Sequence, residues 1–212
     1  MNIILAEEPF LSIQGEWPNV WTPAIFIRFY GCNLNCKWCD SKYAVDKPES
    51  LCKYTVDSLI NKIYTFNCNH IVFTWWEPTL FEKVIKEIME ALPFFYYYEL
   101  ETNWSREPEL EYDQINCSPK LANSWNKEYE LKVKPNYNTI YKFVAKTRDD
   151  CYEIQAYIEK YQLKEWNNIF IMPEWVDEES QKNWDVLQFC IDYWYRYCLR
   201  QHILLFWNRK WV

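Results

Sequence analysis

The chain of 212 residues is poor in glycine, which occurs only 2 times. At the average usage of about 7%, roughly fifteen glycines would be expected. Glycine takes left-handed backbone conformations and lets the main chain approach a ligand closely. The loops of this chain that bind a ligand therefore have few glycines to do so. Tryptophan is in excess instead, with 13 residues. The deficit of one residue type and the excess of the other are similar in size.

Other features are also missing, and each absence excludes a class of protein. The N-terminal Met1–Ala6 is followed at once by Glu7 and Glu8, which does not fit a secretion signal and predicts a cytoplasmic protein. No apolar run reaches the length of a membrane span, so no membrane partner is expected. The net charge of −7 argues against a nucleic-acid-binding face. The 9 cysteines are therefore expected to be reduced thiols rather than disulfides.

Strand-like apolar runs alternate with segments of helical period along the chain. The predicted strands are Ala24–Phe29, Ile71–Thr74, Tyr97–Glu101, Gln114–Cys117, Ile140–Val144, Ile169–Met172 and Ile203–Phe206. The predicted helices are Val56–Phe66, Leu80–Leu92, Asp150–Tyr161 and Glu178–Arg196. Repeated strand–helix units favour a parallel sheet with right-handed crossovers. Because a closed eight-stranded barrel needs about 250 residues, we predict a single α/β domain, residues 1–212, forming an incomplete TIM-like barrel.

Three cysteines follow the first of these strands, in the run Gly31–Asp40. Cys32, Cys36 and Cys39 have the spacing C-x3-C-x2-C. Three thiolates can hold three irons of a 4Fe–4S cluster and leave the fourth iron open to a small molecule. Half of a zinc site is the alternative, although no fourth cysteine or histidine lies nearby. The loop therefore indicates a reaction centre.

Other short motifs also follow predicted strands. They are Trp75–Pro78, Thr102–Trp104, Ser118–Lys120 and Pro173–Trp175. Ligands of parallel α/β proteins gather at the carboxyl ends of the strands. These motifs are therefore expected to share one site with the cysteine loop.

The motifs resemble those of the radical S-adenosylmethionine (SAM) enzymes, and within them the 7-carboxy-7-deazaguanine synthase family. The resemblance rests on the cysteine triad, Phe10–Glu16, Arg28, Cys39–Ser41 and the tail His202–Asn208. It implies a radical SAM core, a 4Fe–4S cluster, SAM and Mg²⁺, a homodimer, and an electron donor such as flavodoxin or ferredoxin. The implied reaction converts 6-carboxy-5,6,7,8-tetrahydropterin to 7-carboxy-7-deazaguanine with loss of ammonia, on the route to queuosine-type tRNA bases.

The resemblance also implies roles for single residues. Cys32, Cys36 and Cys39 would hold the cluster, and the Ser41 hydroxyl would bind Mg²⁺. The residues expected to contact SAM are Trp76, Glu77, Ser118, Pro119 and Lys120. The residues expected to contact the pterin are Ile13, Gln14, Gly15, Glu16, Arg28 and Thr74, with His202 as a weaker candidate. Arg28 can form a two-pronged contact with the substrate carboxylate, while a structural role for Glu77 at a helix start stays open.

The chain departs from this family at its glycines. The family has glycine at the positions of Trp17, Trp75, Trp76 and Trp104, whereas Trp38 fits the family. Glycine is also expected at Trp21, Trp125, Trp175, Trp194, Trp207 and Trp211, while Trp166 and Trp184 are undecided. We hypothesise that the source reads the UGA codon as glycine and that these letters come from translating UGA as tryptophan. If every tryptophan except Trp38 were glycine, the glycine count would rise from 2 to 14.

Two other functions stay open on the sequence. A radical SAM activase, which forms a glycyl radical on a partner enzyme, would share the cysteine triad without needing Gln14, Glu16 and Arg28. A catalytically silent iron–sulfur protein is the second alternative, and real tryptophans in the SAM loop would favour it.

Overall fold

The computed structural model describes residues 3–16, 18–39, 51–75, 77–126, 138–163, 168–174 and 179–206. Ser41, Trp17, Trp76, Trp166, Trp175, Trp207 and Trp211 lie outside the described residues. The strands are β1 Ile3–Leu5, β2 Phe10–Ile13, β3 Pro23–Arg28, β4 Cys52–Tyr54, β5 His70–Thr74, β6 Tyr97–Thr102, β7 Gln114–Cys117, β8 Thr139–Ala145, β9 Ile169–Pro173 and β10 Arg196–Tyr197. The helices are α1 Val56–Ile63, α2 Glu82–Ala91, α3 Arg148–Lys160, α4 Trp184–Tyr193 and α5 Gln201–Phe206. Short 3₁₀ turns cover Pro78–Phe81, Ala122–Ser124 and Glu179–Gln181.

Eight strands form one sheet in the order β10-β9-β8-β7-β6-β5-β3-β2. All neighbours from β3 to β10 are parallel, and β2 joins β3 antiparallel. The spatial order of the parallel strands follows their order in the chain, as in a barrel and unlike a doubly wound sheet. Within the described residues β2 and β10 do not pair with each other, so the barrel is incomplete, as predicted.

The two faces of the sheet have different chemistry because successive side chains of a strand point to opposite sides. The outer face is apolar and packs under the helices; Ile27, Phe73, Leu100 and Phe143 are fully buried in this core. Each such side chain contributes roughly 1.5–3 kcal/mol by its burial. The opposite, inner face carries the polar residues described below.

Polar caps set the starts of two of the outer helices. Thr55 caps α1 together with Ser58, and Thr147 caps α3 together with Asp150, each in a reciprocal capping box. Such a cap is worth about 1 kcal/mol because it satisfies backbone N–H groups that a helix start leaves free. The capped helices cover the apolar face and leave the inner face for ligands.

One predicted strand is wrong. Residues 203–206 belong to α5, and the seventh parallel strand is the short β10 instead. A four-residue apolar run does not distinguish a strand from a buried helix by its period. The predicted helix Glu178–Arg196 is also too long, because α4 begins after its cap Asn183 and ends at Trp194, which has left-handed backbone. No helix in the described ranges is long and apolar enough to span a membrane.

Candidate active site

The cysteine loop follows β3 at the carboxyl edge of the parallel sheet. Cys36 is buried, Cys39 is partly exposed and Cys32 is exposed. Amide N–H groups surround the sulfurs: Asn126 Nδ2 donates to Cys36 Sγ at 3.1 Å, and Leu34 N donates to Cys32 Sγ at 3.3 Å. Such donors stabilise thiolates and tune a bound cluster. Within the described ranges, no three His, Cys, Asp or Glu side chains are arranged to hold a metal ion.

Glu77 connects the loops that follow β5 and β6. Its side chain is fully buried and accepts hydrogen bonds from Thr79 Oγ1 and Thr102 Oγ1, both at 2.7 Å. The backbone N–H groups of Thr79 and Asn103 donate to it at 3.2 and 2.8 Å. Burial raises the pKa of this carboxyl, while these four hydrogen bonds counteract the rise. Glu77 therefore caps the 3₁₀ turn Pro78–Phe81 as a buried carboxylate rather than a solvated one, and its contact with SAM stays a prediction.

The loop after Glu77 and the cysteine loop are in direct contact. The Glu77 backbone N–H donates to the Gly31 carbonyl at 3.3 Å. Farther along the sheet edge, Lys120 Nζ donates to Ser118 Oγ at 2.6 Å and lies 5.3 Å from the centre of the Trp38 ring. Three predicted SAM contacts, Glu77, Ser118 and Lys120, are therefore on loops beside the cysteines.

The inner face of the sheet is polar and buried. Glu99 is fully buried and accepts from Gln14 Nε2 at 2.6 Å, Asn116 Nδ2 at 2.5 Å and Asn19 Nδ2 at 2.7 Å. His70 Nε2 lies 3.0 Å from the Oε2 atom of Glu99. Buried carboxylates are tolerated only when they are paired in this way. The network therefore holds the Gln14 amide in one orientation.

Gln14 connects this network to a second buried carboxylate, Glu101. Gln14 Nε2 also donates to Glu101 at 3.2 Å, and the Thr74 hydroxyl donates to the other oxygen of Glu101. Burial raises the pKa of Glu101, and the negative charge of Glu16 raises it further. Two predicted pterin contacts, Gln14 and Thr74, are thereby brought together through Glu101.

Glu16 lies between two cations on the same inner side. The Lys142 ammonium of β8 forms an ion pair with one oxygen, and Arg200 Nε lies 3.0 Å from the other. Burial would raise the pKa of Glu16, but the positive charges of Lys142, Arg200 and His202 more than offset burial and lower it to about 2. Glu16 is therefore an ionised acceptor at neutral pH.

Arg28 ends β3 beside Thr74, its register partner on β5. Its Nη1 forms an ion pair with Glu7, and its guanidinium lies 4.2 Å from the centre of the Trp75 ring. Within the described ranges, its buried Nε–H has no hydrogen-bond partner. A buried donor without a partner is costly, so this edge of the guanidinium is suited to a carboxylate ligand.

Gly15 lies where the backbone contacts α5. A Cβ atom at this position would lie 2.3 Å from His202 Nδ1, and the Gly15 carbonyl accepts from the Gln201 N–H at 2.9 Å. Only glycine fits without displacing the histidine. This contact brings α5, with His202, to the Gln14–Glu16 segment. Ile13, the residue before Gln14, ends β2 and pairs with Pro23 of β3.

Several site residues were not predicted from the sequence. They are His70, Glu99, Asn116, Asn126, Lys142 and Arg200. A signal was present for two of them, since Glu99 alternates with Glu101 along β6, and Lys142 interrupts the apolar β8. A charged residue within a buried strand marks the face that lines a site.

Comparison with known proteins agrees with this fold. No protein-family model matches the chain. A 7-carboxy-7-deazaguanine synthase of Buchnera aphidicola subsp. Schizaphis graminum is 30% identical over 195 residues, which cover 82% of this chain and 85% of the relative. One of Rhodopirellula baltica is 27% identical over 229 residues and covers 98% and 88% of the two chains. The crystal structure of QueE from Escherichia coli superposes with a TM-score of 0.67 at 18% identity, covering 95% of each chain.

The open parallel barrel and the three-cysteine loop at its carboxyl edge are the arrangement of a radical SAM enzyme, and the named relatives make it a radical SAM lyase. The Buchnera relative is similar enough, over enough of its length, to identify the family. The chain belongs to the 7-carboxy-7-deazaguanine synthase family.

Proposed function

We propose that this chain converts 6-carboxy-5,6,7,8-tetrahydropterin to 7-carboxy-7-deazaguanine with loss of ammonia, as one radical SAM domain over residues 1–212. The observation that carries the proposal is the buried, charged inner face of the sheet, where Glu16, Glu101 and Lys142 meet at the carboxyl edge. Buried ionisable groups are costly for a fold and mark a ligand site.

Cys32, Cys36 and Cys39 would hold a 4Fe–4S cluster. Three thiols on one loop, with amide donors at two of the sulfurs, fit a cluster whose fourth iron stays open. Because each thiolate of a cluster binds a different iron, the three sulfurs need not converge on one ion. The cluster and SAM, when bound, supply a carbon radical that abstracts a hydrogen atom.

The SAM side of the site would be formed by Ser118, Pro119, Lys120 and the loop at position 76, with Glu77 holding two of the loops together. Asn103 and Thr102 fix Glu77 from β6, so the carboxylate stabilises the loop rather than acting as a free acceptor. Ser41 would contribute a hydroxyl oxygen to Mg²⁺, with the substrate and water as further ligands.

The pterin side would use Glu16 and Arg28. An ionised carboxylate accepts from the N–H groups of a pterin ring, and Lys142 and Arg200 keep Glu16 ionised. The free Nε–H edge of Arg28 would bind the substrate carboxylate. Gln14 would orient Glu16, because the Glu16 backbone N–H donates to Gln14 Oε1 at 3.3 Å. Ile13, Gly15 and Thr74 would complete this side of the cavity.

The same proposal includes the wider setting of the enzyme. It would act in the cytoplasm as a homodimer, take its electron from a flavodoxin or ferredoxin, and supply a precursor of queuosine-type tRNA bases. No nucleic acid or membrane is part of this proposal.

The test is an anaerobic assay of the reconstituted protein from its own source, with the carboxytetrahydropterin, SAM and a reductant. We expect 7-carboxy-7-deazaguanine and 5′-deoxyadenosine in the wild type. Neither should form in Cys36→Ser, whereas Cys190→Ser should keep activity because this buried cysteine lies on α4, outside the loop. Formation of deoxyadenosine without a deazapurine would reject the proposed substrate, and absence of both would reject the radical SAM activity.

A further inference from the structure

Five tryptophans have left-handed backbone. The φ angles are 74° at Trp21, 66° at Trp75, 58° at Trp104, 62° at Trp125 and 62° at Trp194. In this region the Cβ atom of an L-residue crowds the following carbonyl oxygen, and only glycine enters it freely. Five such residues of one bulky type require an explanation.

Almost all of the non-glycine residues with positive φ are tryptophans. Among the described residues, six non-glycine positions have positive φ, and the sixth is Gln162. Asparagine and aspartate, which tolerate this region best after glycine, do not occur among them. The described ranges contain only two other tryptophans, Trp38 and Trp184, and neither has positive φ.

Three of the five positions are turns in which glycine is the preferred residue. Trp194 ends α4, and the next N–H, that of Tyr195, donates to the Cys190 carbonyl at 2.9 Å. Trp125 ends the 3₁₀ turn Ala122–Ser124 in the same conformation. Helix ends of this kind favour glycine. Trp21 is the third residue of a turn closed by Thr22 N and Asn19 O at 3.1 Å, a position that also favours glycine when φ is positive.

The other two positions lie on loops at the carboxyl edge of the sheet. Trp75 directly follows β5 and Trp104 follows β6 after Asn103. Trp104 is almost completely buried, and its indole N–H has no hydrogen-bond partner within the described part of the chain. The buried indole N–H of Trp38 also lacks a partner among the described residues, so at position 104 it is the positive φ that argues for glycine.

We infer that the natural polypeptide carries glycine at positions 21, 75, 104, 125 and 194, and that its source reads the corresponding codon, UGA, as glycine. Trp38 would be a true tryptophan, encoded by UGG. The glycine assignment rests on backbone angles and the codon assignment on composition and the family's glycines, so both hold or fail independently of the proposed reaction. Its consequence is local: glycine at 75 removes the indole that covers Arg28, and glycine at 104 removes an indole from the core beside Tyr141.

Peptide mapping by mass spectrometry of the protein from its own source tests the inference directly, with the peptide containing Trp38 as internal control. We expect glycine masses at the five positions and a tryptophan mass at position 38. Tryptophan masses at the five positions would overturn the inference, as would UGG codons there in the gene.

A stability comparison gives a second readout that does not depend on activity. The variant with the three exposed residues Trp21, Trp125 and Trp194 changed to glycine should unfold at a higher temperature than the protein with tryptophan there, because no buried side chain is lost. Trp184→Gly serves as the matched control, because Trp184 starts α4 with ordinary backbone and its side chain is exposed. A midpoint that does not rise with the three changes, or that rises equally with Trp184→Gly, would contradict the reasoning.

Discussion

Removing the Lys142 ammonium tests the charged centre of the candidate site. In Lys142→Met the side chain keeps a similar shape, but Glu16 loses one of its two ion-pair partners and retains Arg200 at 3.0 Å, with His202 as a weaker positive neighbour. Removing one partner of a buried ion pair typically costs 3–5 kcal/mol, so with one cation left we expect a loss of about 3 kcal/mol. In a domain of this size this corresponds to a melting point lower by roughly 6–12 °C.

The pH dependence of the free energy of unfolding shows whether ionised Glu16 stabilises the fold. Because the folded pKa of Glu16, about 2, lies below the ordinary 4.5, its ionised form contributes stability above pH 4.5. This contribution is lost as the pH falls from 4.5 towards 2. In Lys142→Met burial is less well offset and the folded pKa of Glu16 rises towards 4.5, so the acid-induced loss of stability should be smaller and complete at a higher pH. Urea unfolding between neutral pH and about pH 3 measures both curves.

The chain offers a matched control four residues along. Lys146 also pairs with a glutamate, Glu174, at 3.5 Å, but its side chain is 66% exposed. Exposed pairs contribute about 0–1 kcal/mol, so Lys146→Met should change stability little. Equal effects of Lys142→Met and Lys146→Met, or wild-type stability that stays constant below pH 4.5, would refute the account of Glu16.

Three further predictions concern other parts of the molecule. Glu77→Gln should cost about 1–3 kcal/mol in urea unfolding, since the amide NH₂ would face a buried donor; an unchanged midpoint would contradict the four hydrogen bonds. Asn126→Ala should lower the potential of a reconstituted cluster in a redox titration followed by EPR, because the N–H donor to Cys36 Sγ is lost; an unchanged potential would exclude that role. Trp194→Gly alone should raise the melting point by roughly 2–4 °C, about 1 kcal/mol, whereas Trp184→Gly should not.

Much of the fold could be predicted because its signals are local. The bounds of β7 were predicted to the residue, and those of β5 within one, since apolar β-branched runs flanked by turns are typical of buried strands. The two-residue strand β10 could not be predicted, because it depends on pairing with β9 rather than on its own residues. The helix α5 was predicted to be a strand for a related reason. Its six residues make fewer than two helical turns, so the helical repeat of apolar residues is not visible in the sequence.

The candidate site divides in the same way. The three cysteines lie within one short segment, and Gln14–Glu16 form another. Each segment is a local motif, so the sequence alone was enough to indicate the family. The partners of those residues are remote: Gln14 and Glu99 are separated by 85 positions, and Glu16 and Arg200 by 184. The strand register and the packing of α5 bring these partners together. No local sequence pattern predicts contacts between residues so far apart in the chain.

By itself the amino-acid sequence determined the class of fold, the three-cysteine loop and the anomaly of scarce glycine, because composition, period and spacing are properties of the chain. Only the tertiary structure decided that Glu16 is held ionised between Lys142 and Arg200, since burial and charge act through space. It also decided which tryptophans occupy glycine conformations, such as Trp104 at φ 58°, because a backbone angle is set by the turn that the whole fold imposes.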